Sequence, residues 1–190
     1  MRKAKLGRVF AASVVALSAT ALAAAPASAK TKTASFSSGT INAPIADDTI
    51  NLYPGNVKGK GKVKDVEVAV RITHAFDADI EIYLVSPRAQ FVQLSSDNGE
   101  NGNDYGSGAA DCTGTFTVFD DAAITPINAG PPTAVPPFAG PFKPQQPLSA
   151  LNGAKLKGTW QLLVNDDDRQ ITGSLDCWEL TIVYKRKKKR

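Results

Sequence analysis

The chain has 190 residues, and its 43% hydrophobic and 21% charged content matches that of an ordinary soluble domain. These values exclude a chain that is disordered or fibrous throughout, and the length excludes a large multidomain enzyme. The formal net charge of +4 comes from the two ends, because four cations lie in the first eight residues and the last six residues are all cationic. The segment between them has 12 cations and 18 anions, so the body of the protein is acidic.

Residues 1–29 have the three parts of a secretory signal peptide. A basic start at residues 2–8 precedes an apolar stretch at residues 9–22, and Ala27–Ala29 forms an A-x-A cleavage site. The stretch is too short and too rich in alanine for a membrane span, and no other apolar run approaches the ~20 residues that a transmembrane helix needs. We therefore expect cleavage near Ala29 and a secreted protein, extracellular or attached to the cell surface, without a transmembrane segment. A retained N-terminal anchor is the alternative.

The rest of the chain has the sequence pattern of β-strands. Apolar and polar residues alternate with a period of two, which is typical of strands with one buried face, and Val, Ile, Thr and aromatic residues are enriched. The predicted strands cover residues 34–41, 49–53, 66–72, 80–84, 91–94, 115–118, 159–164 and 178–184. No segment has convincing helical periodicity, and there is no internal repeat. We predict one all-β domain over residues 30–184, an antiparallel sandwich or barrel of about eight strands.

Two long connections interrupt the strand pattern. Residues 95–111 are rich in Asp, Asn and Gly, and residues 121–152 contain eight of the 12 prolines. Proline lacks the amide proton that a strand with two neighbours needs, so the second stretch cannot be a central strand. We predict that it is a long surface loop, because too little chain follows it to form a second core.

Cys112 and Cys177 are the only two cysteines. An oxidising compartment outside the cell favours a disulfide, and the loop that it closes would stabilise the fold by about 4 kcal/mol at most. Two cysteines and one histidine do not supply the ligands of a zinc site. We predict a disulfide between Cys112 and Cys177, and two buried thiols are the alternative.

The sequence lacks the residues of a serine hydrolase, which needs a serine nucleophile, a histidine base and an aspartate that orients the base. His74 is the only histidine, and no serine has a G-x-S-x-G setting. Ser107 comes nearest, between two glycines, with no residue beside it that would activate it. Adjacent aspartates leave a glycosidase open on composition alone, although such pairs are ordinary in turns. We predict that the protein is not an enzyme and that His74 is hydrogen-bonded to a loop at the end of a strand.

Oxygen-rich loops are the strongest candidate for a metal site, because calcium binds six to eight oxygen ligands. The loop at residues 97–108 fails the EF-hand spacing, since glycine occupies positions that need side-chain ligands. Carboxylates near strand ends would repel one another if their loops met at one end of a sandwich, and this repulsion favours a bound cation. The predicted calcium ligands are Asp77, Asp79, Asp97, Asp104, Asp120, Asp121, Asp166 and Asp168. Solvated turns are the alternative.

Residues 185–190 form a basic tail without aromatic residues. The tail belongs to a chain that we expect to be exported, so we predict no nucleic-acid partner. A cationic run of this kind can attach a protein to anionic cell-wall polymers or to lipid headgroups. A solvated end without a partner is the alternative.

Five motifs follow one another in the order found in a known family. The longest is residues 72–87, Ile-Thr-His-Ala-Phe-Asp-Ala-Asp-Ile-Glu-Ile-Tyr-Leu-Val-Ser-Pro. The others are Phe119–Ala123, Gly140–Ser149, Gly153–Asp166 and Gly173–Leu180. With these motifs the chain resembles, over about residues 35–184, the P domain, also called P/Homo B. That domain follows the subtilisin-like catalytic domain in kexin- and furin-type proprotein convertases and in many bacterial secreted serine proteases.

The resemblance implies a jelly-roll-like β-sandwich, similar to galactose-binding domains, and it agrees with the strand pattern. It assigns structural roles to His74, Pro87, Gly158, Trp160, Gly173 and Trp178. Calcium binding is known among P domains, which supports the acidic loops as a metal site.

The same resemblance implies a function. We expect a stand-alone, non-catalytic accessory module that binds or stabilises a secreted subtilisin-like protease or its substrate, with the endopeptidase activity carried by a separate catalytic domain. A jelly roll that binds carbohydrate or cell wall is the alternative, since fold does not fix function. A glycan-binding face needs exposed aromatic residues, and both tryptophans lie in strands that we expect to bury them.

Overall fold

The computed structural model describes residues 30–186. The predicted signal peptide, residues 1–29, and the last four residues of the predicted basic tail lie outside the described residues. Residues 30–186 form ten strands and three short 3-10 turns, with no α-helix, and hence contain no helix that could cross a membrane. The strands are β1 (Thr31–Ser37), β2 (Ala43–Ile45), β3 (Thr49–Val57), β4 (Lys62–Thr73), β5 (Ile80–Val85), β6 (Phe91–Ser96), β7 (Thr117–Phe119), β8 (Gly140–Phe142), β9 (Gly158–Asp166) and β10 (Gly173–Lys185).

The strands form two sheets. In the first sheet the order is β1-β10-β4-β7-β8, and the short β2 pairs with the start of β10; in the second sheet the order is β3-β9-β5-β6. Neighbouring strands are antiparallel, except that β7 and β8 are parallel. The inner faces of the two sheets share one cluster of buried apolar residues. The prediction of an all-β sandwich is therefore confirmed, and the barrel does not form.

The core consists of the residues whose alternation predicted the strands. On β5, Ile80, Ile82 and Leu84 are fully buried, and the residues between them are partly exposed. The same alternation on β9 and β10 buries Trp160 and Trp178. Each buried indole removes on the order of 200 Å² from water, so the two tryptophans are large contributors to the stability of the core.

The strand count exceeds the predicted number of about eight. The additional strands, β2 and β8, have three residues each, which is too short for an alternation to be recognised. β8 lies within the stretch predicted to be an irregular loop, and its Pro141 is tolerated because β8 is the outer strand of its sheet. β3 is also an outer strand, so it continues through Pro54 and ends at Val57, beyond its predicted end at Tyr53.

The proline-rich stretch is a loop that packs against the sandwich. Phe138, Leu148 and Leu151 belong to the core cluster. The backbone amides of Leu148 and Ser149, which begin a 3-10 turn, donate hydrogen bonds of 2.8 Å to the carboxylate of Asp121. Asp121 thus joins the beginning of the loop to its end, which fixes a segment that has few strand hydrogen bonds of its own.

Cys112 and Cys177 form the predicted disulfide. The bond ties the loop before β7 to β10 and holds this loop over the outer face of the first sheet. The buried side chain of Arg71 on β4 holds the same loop, since its guanidinium donates to the carbonyls of Gly108 and Ala109 at 3.2 and 2.8 Å. The outer face of the first sheet is therefore partly covered.

Candidate functional site

One end of the sandwich is acidic. There β4 ends at Thr73, β6 ends at Ser96, and Asp166 at the end of β9 pairs with Thr49 of β3 and Ile80 of β5. We call this region the acidic end. It brings together six of the eight predicted calcium ligands, namely Asp77, Asp79, Asp97, Asp104, Asp166 and Asp168.

The other two predicted ligands, Asp120 and Asp121, lie elsewhere. They follow β7, whose last residue, Phe119, pairs with Val68 of β4, about 20 Å along that strand from His74. Asp120 accepts a hydrogen bond from an amide in its own turn, and Asp121 accepts two from the proline-rich loop. Both carboxylates therefore shape loops away from the acidic end.

His74 follows β4 and is buried at the acidic end. Its Nδ1 lies 2.8 Å from the carbonyl oxygen of Phe76, so Nδ1 carries a proton, and Nε2 lies 3.3 Å from Oδ2 of Asp166. Burial raises the pKa of Asp166, and the neighbouring imidazole opposes this rise. Within residues 30–186 no hydroxyl or thiol is hydrogen-bonded to the ring, so the pair has no nucleophile to activate.

Asp77 is the least satisfied carboxyl group of the acidic end. Its side chain is fully buried, and neither oxygen has a partner at hydrogen-bond geometry, although the backbone amide of Asp104 lies close enough to lower its pKa slightly. Burial raises the pKa of Asp77 to about 8, and the negative charge of Asp104 adds to the rise. The loop after β6 packs directly on it, since a β-carbon on Gly99 would lie 3.0 Å from the β-carbon of Asp77. A buried carboxyl without donors must keep its proton or bind a cation.

A second group of carboxylates lies farther out at the same end. Glu81, Asp97 and Asp167 each place one oxygen within 4.8 Å of the other two. Burial and repulsion from Asp97 and Glu81 raise the pKa of Asp167. The sequence analysis missed Glu81, because it reads as an ordinary polar position in an alternating strand. The signal that could have identified it is an outward-facing position one residue after the start of β5, beside the acidic loops.

The turns that frame the sandwich contain two of the family-motif contacts. Pro87, after β5, packs on Gly158 at the start of β9, where an added β-carbon would come within 2.6 Å of the β-carbon of the proline. His74 packs on Gly173 at the start of β10, where an added β-carbon would come within 2.5 Å of the imidazole. Each glycine leaves room for a side chain from another strand end, so both pairs lock neighbouring turns together.

The two motif tryptophans pack inside the sandwich. Trp178 contacts Phe36 of β1 with ring centroids 4.8 Å apart, and Trp160 donates from Nε1 to the carbonyl of Leu156 at 3.0 Å. Their burial leaves Phe91 as the one aromatic residue among the exposed large hydrophobic side chains of residues 30–186. This part of the chain therefore offers no platform of stacked aromatic rings for a sugar.

The outer face of the second sheet carries exposed apolar side chains beside polar residues such as Glu81 and Gln161. The strand register places Leu52, Leu163 and Tyr83 in one row across β3, β9 and β5. Leu52 is 51% exposed, Ile50 in the next row is 61% exposed, and Phe91 at the other edge is 56% exposed. We call these five residues the apolar face. Clustered exposed apolar side chains mark a surface that binds another molecule.

Comparison with known families gives one assignment. The family model for the proprotein convertase P-domain matches residues 63–182, from the start of β4 to near the end of β10. The matched range includes His74, Asp77, Pro87, Gly158 and all of the acidic loops between them. No curated protein matches the sequence significantly.

Two solved structures from Aeromonas sobria share the fold. A complex of a serine protease (ASP) with the chaperone ORF2 matches with a TM-score of 0.54 and 17% identity, over 83% of this chain and 28% of that chain. A structure of the serine protease of the same organism matches with a TM-score of 0.50 and 16% identity, over 82% of this chain and 27% of that chain. This chain thus spans little more than a quarter of the length of those chains.

Proposed function

Because this chain belongs to the proprotein convertase P-domain family, we propose that it is an exported, non-catalytic accessory module that binds a subtilisin-like serine protease and stabilises it. A protease partner is supported by the family match and by the fold that this chain shares with serine protease structures from Aeromonas sobria. Export is supported by the signal-peptide pattern of residues 1–29 and by the disulfide, which persists in oxidising compartments.

The apolar face is the observation that carries the proposal. Ile50 and Leu52 are more than half exposed on a regular strand, where the residues on the inner side are buried in the core. Exposing them to water costs free energy that a partner would recover, at roughly 25 cal/mol per Å² of apolar surface covered. A sheet face that presents apolar and polar side chains together suits the surface of another folded domain better than a small ligand, which prefers a concave site.

The same arrangement supports a stabilising role without catalysis. Hydrolysis at His74 would need an activated hydroxyl, and the imidazole instead lies buried between the Phe76 carbonyl and Asp166. A partner that binds the native protease and not its unfolded chain stabilises the protease by mass action. The module would therefore lengthen the lifetime of the protease and leave its specificity unchanged.

The test uses the purified mature chain with the secreted subtilisin-like proteases of the organism that produces it. We expect the wild-type chain to bind one of them and to lengthen its half-life at elevated temperature. Leu52→Asp places a charge at the exposed end of the row that Leu52 forms with Leu163 and Tyr83, and we expect it to weaken binding about tenfold or more.

The matched control is Ile124→Asp, which introduces the same charge at an apolar residue that is 94% exposed in the proline-rich loop. Circular dichroism would establish that both variants fold. Binding that is equally strong for Leu52→Asp and Ile124→Asp would contradict the assignment of the apolar face, and a wild-type chain that binds none of the proteases would contradict the function.

We also propose that the acidic end binds calcium, with Asp77 and Asp104 as ligands. Support comes from the two buried oxygens of Asp77, neither of which has a partner at hydrogen-bond geometry, and from its raised pKa, which burial and the negative charge of Asp104 cause. A divalent cation would relieve this repulsion and would supply the positive charge that the site lacks. Bound calcium would hold the loops after β4 and β6 together.

Thermal unfolding at pH 8 in millimolar calcium and in chelator tests the metal site. We expect calcium to raise the midpoint of the wild-type chain and to have no effect on Asp77→Asn, because a ligand that binds only the folded state stabilises it. Asp65→Asn, which removes an exposed carboxylate on β4, is the control and should keep the response. Identical midpoints of the wild-type chain in calcium and in chelator would contradict the site.

A further inference from the structure

A basic pocket lies at the end of the sandwich opposite the acidic end. Three segments meet there: the turn between β3 and β4, the loop before β9, and the residues at the end of β10. The cavity has a volume of about 620 Å³, and besides two glycines its lining is entirely cationic. The five cations that define the basic pocket are Lys60, Lys62, Lys155, Lys157 and Arg186.

Backbone pairing fixes the walls of this pocket. Lys62 at the start of β4 forms a β-bridge with Lys155, and the amide of Leu156 donates to the carbonyl of Gly61 at 3.3 Å. Leu156 is fully buried, and its neighbours Lys155 and Lys157 are therefore both directed to the surface. Since the side chains start from a fixed backbone, less ordering is needed when a ligand binds.

The positive charge of the pocket is not neutralised by the protein. Among the described residues, no carboxylate lines the cavity. Within residues 30–186 the two ion pairs join His74 to Asp166 and Arg169 to Asp48, and neither involves a pocket residue. Like charges held in one concavity repel one another, and an anion that occupies the pocket would relieve this repulsion.

The chemistry of the lining points to phosphate. Four of the five cations are lysines, whose ammonium groups act as compact point charges and are common binders of phosphate groups. The volume lies within the range of ordinary ligand sites, about 300–1,000 Å³, and exceeds what a single phosphate fills. No aromatic residue lines the cavity, so base or sugar stacking has no platform there. We propose that the basic pocket binds a chain of phosphate groups, as in a phosphodiester or polyphosphate polymer.

Calorimetric titration of the mature chain with short-chain inorganic polyphosphate tests this site. We expect the double substitution Lys155→Gln/Lys157→Gln to weaken binding about tenfold or more at low salt. The matched control is Lys143→Gln/Arg169→Gln, which also removes two exposed cations but lies outside the pocket, and its affinity should change less than twofold. Truncation after Arg186 removes the last four cations of the chain and keeps all five cations of the basic pocket, so it should leave polyphosphate binding in place and reduce its salt dependence.

Two further titrations distinguish the sources of negative charge. Polyglutamate of similar charge should bind at least tenfold more weakly than polyphosphate. Vesicles of phosphatidylglycerol and phosphatidylcholine should bind the wild-type chain no more tightly than they bind the pocket variant. Equal binding of polyglutamate and polyphosphate would overturn the proposal, as would binding to vesicles alone. Equal effects of the pocket and control substitutions, or loss of all binding on truncation, would overturn it as well.

Discussion

Asp77 is the residue on which the pH dependence of stability chiefly depends. In the unfolded chain its carboxyl has an ordinary pKa near 3.8, whereas burial in the folded protein raises the pKa to about 8. Between these values the folded chain holds a proton that the unfolded chain has released, so stability decreases as the pH rises and is fully present only below about pH 4. Above about pH 8 the buried carboxylate is charged in both states, and its cost stays constant.

Asp77→Asn should remove this dependence, because asparagine has no proton to release. In chelator, we expect the free energy of unfolding of the wild-type chain to fall from pH 5 to pH 8 by on the order of 4 kcal/mol more than that of Asp77→Asn. Urea unfolding at the two pH values measures the difference. Asp65→Asn is the control and should behave as the wild type. If Asp77→Asn loses as much stability between pH 5 and pH 8 as the wild type, the buried carboxyl of Asp77 is already ionised at pH 5.

The sequence predicts the kind of contact that a single residue makes, but it does not identify every partner. The sequence indicates that His74 lies at a strand end and bonds to a loop, and the Phe76 carbonyl is that bond. Its second partner, Asp166, is 92 positions away and reaches the ring only through the pairing of β9 with its neighbours. The same holds for Asp77, which the sequence marks as one of eight similar acids, whereas only the packing of Gly99 upon it shows that it is buried without donors.

At the scale of elements, Gly158 controls how the turn after β5 meets β9. Its φ of +148° is a conformation that side chains rarely adopt, and an added β-carbon would meet Pro87 at 2.6 Å. Gly153 has a φ of +84° and nothing within 4 Å of the position of a β-carbon. The two glycines therefore differ in the steric contact and share the backbone strain.

Gly158→Ala should consequently destabilise the protein more than Gly153→Ala. We expect Gly153→Ala to cost on the order of 1 kcal/mol through backbone strain alone. Gly158→Ala should cost about 2–4 kcal/mol, because the proline ring must move as well. Urea unfolding measures the free energy of unfolding of both variants. Equal losses of stability would show that Pro87 moves aside without a measurable cost.

Strands in which apolar and polar residues alternate over many positions were predictable. The short strands β2 and β8 and the last residues of β3 were not. β5, β9 and β10 follow from their apolar rows, because one buried face forces a period of two. β2 and β8 have no such row: β2 pairs with the start of the long strand β10, and β8 pairs with β7, which is equally short. The last residues of β3 include Pro54 and Gly55, which read as a turn in isolation; Gly55 is required there because an added β-carbon would lie 2.8 Å from the ring of Trp178.

At the scale of the whole molecule, charge and apolar surface are separated. Carboxylates gather at the end where β4, β6 and β9 finish, cations gather at the opposite end, and the apolar face lies between them on the second sheet. The sequence reveals the composition of each group but not their separation, since that depends on which strand ends meet. The three regions are the sites for which we propose three distinct partners: a divalent cation, a phosphate polymer and the folded surface of a protease.

Within residues 30–186 the outer face of the first sheet is partly covered, so the outer face of the second sheet is the more open of the two. The loop containing Cys112 lies over the first sheet, and the buried Arg71 anchors it there. The proline-rich loop buries its apolar residues Phe138, Leu148 and Leu151 in the core. A partner that needs a broad apolar contact therefore finds it on the second sheet within the described part of the chain.

Hydrogen–deuterium exchange of the mature chain, alone and mixed with a secreted subtilisin-like protease, tests most directly the proposal that the apolar face binds such a protease. Because outer strands exchange readily until a partner covers them, we expect slower exchange in β3 (Thr49–Val57) and β6 (Phe91–Ser96) on binding. Exchange in the turn between β3 and β4 and in the loop around Cys112 should be unchanged. Protection confined to that turn or that loop, with β3 and β6 unaffected, would contradict the account.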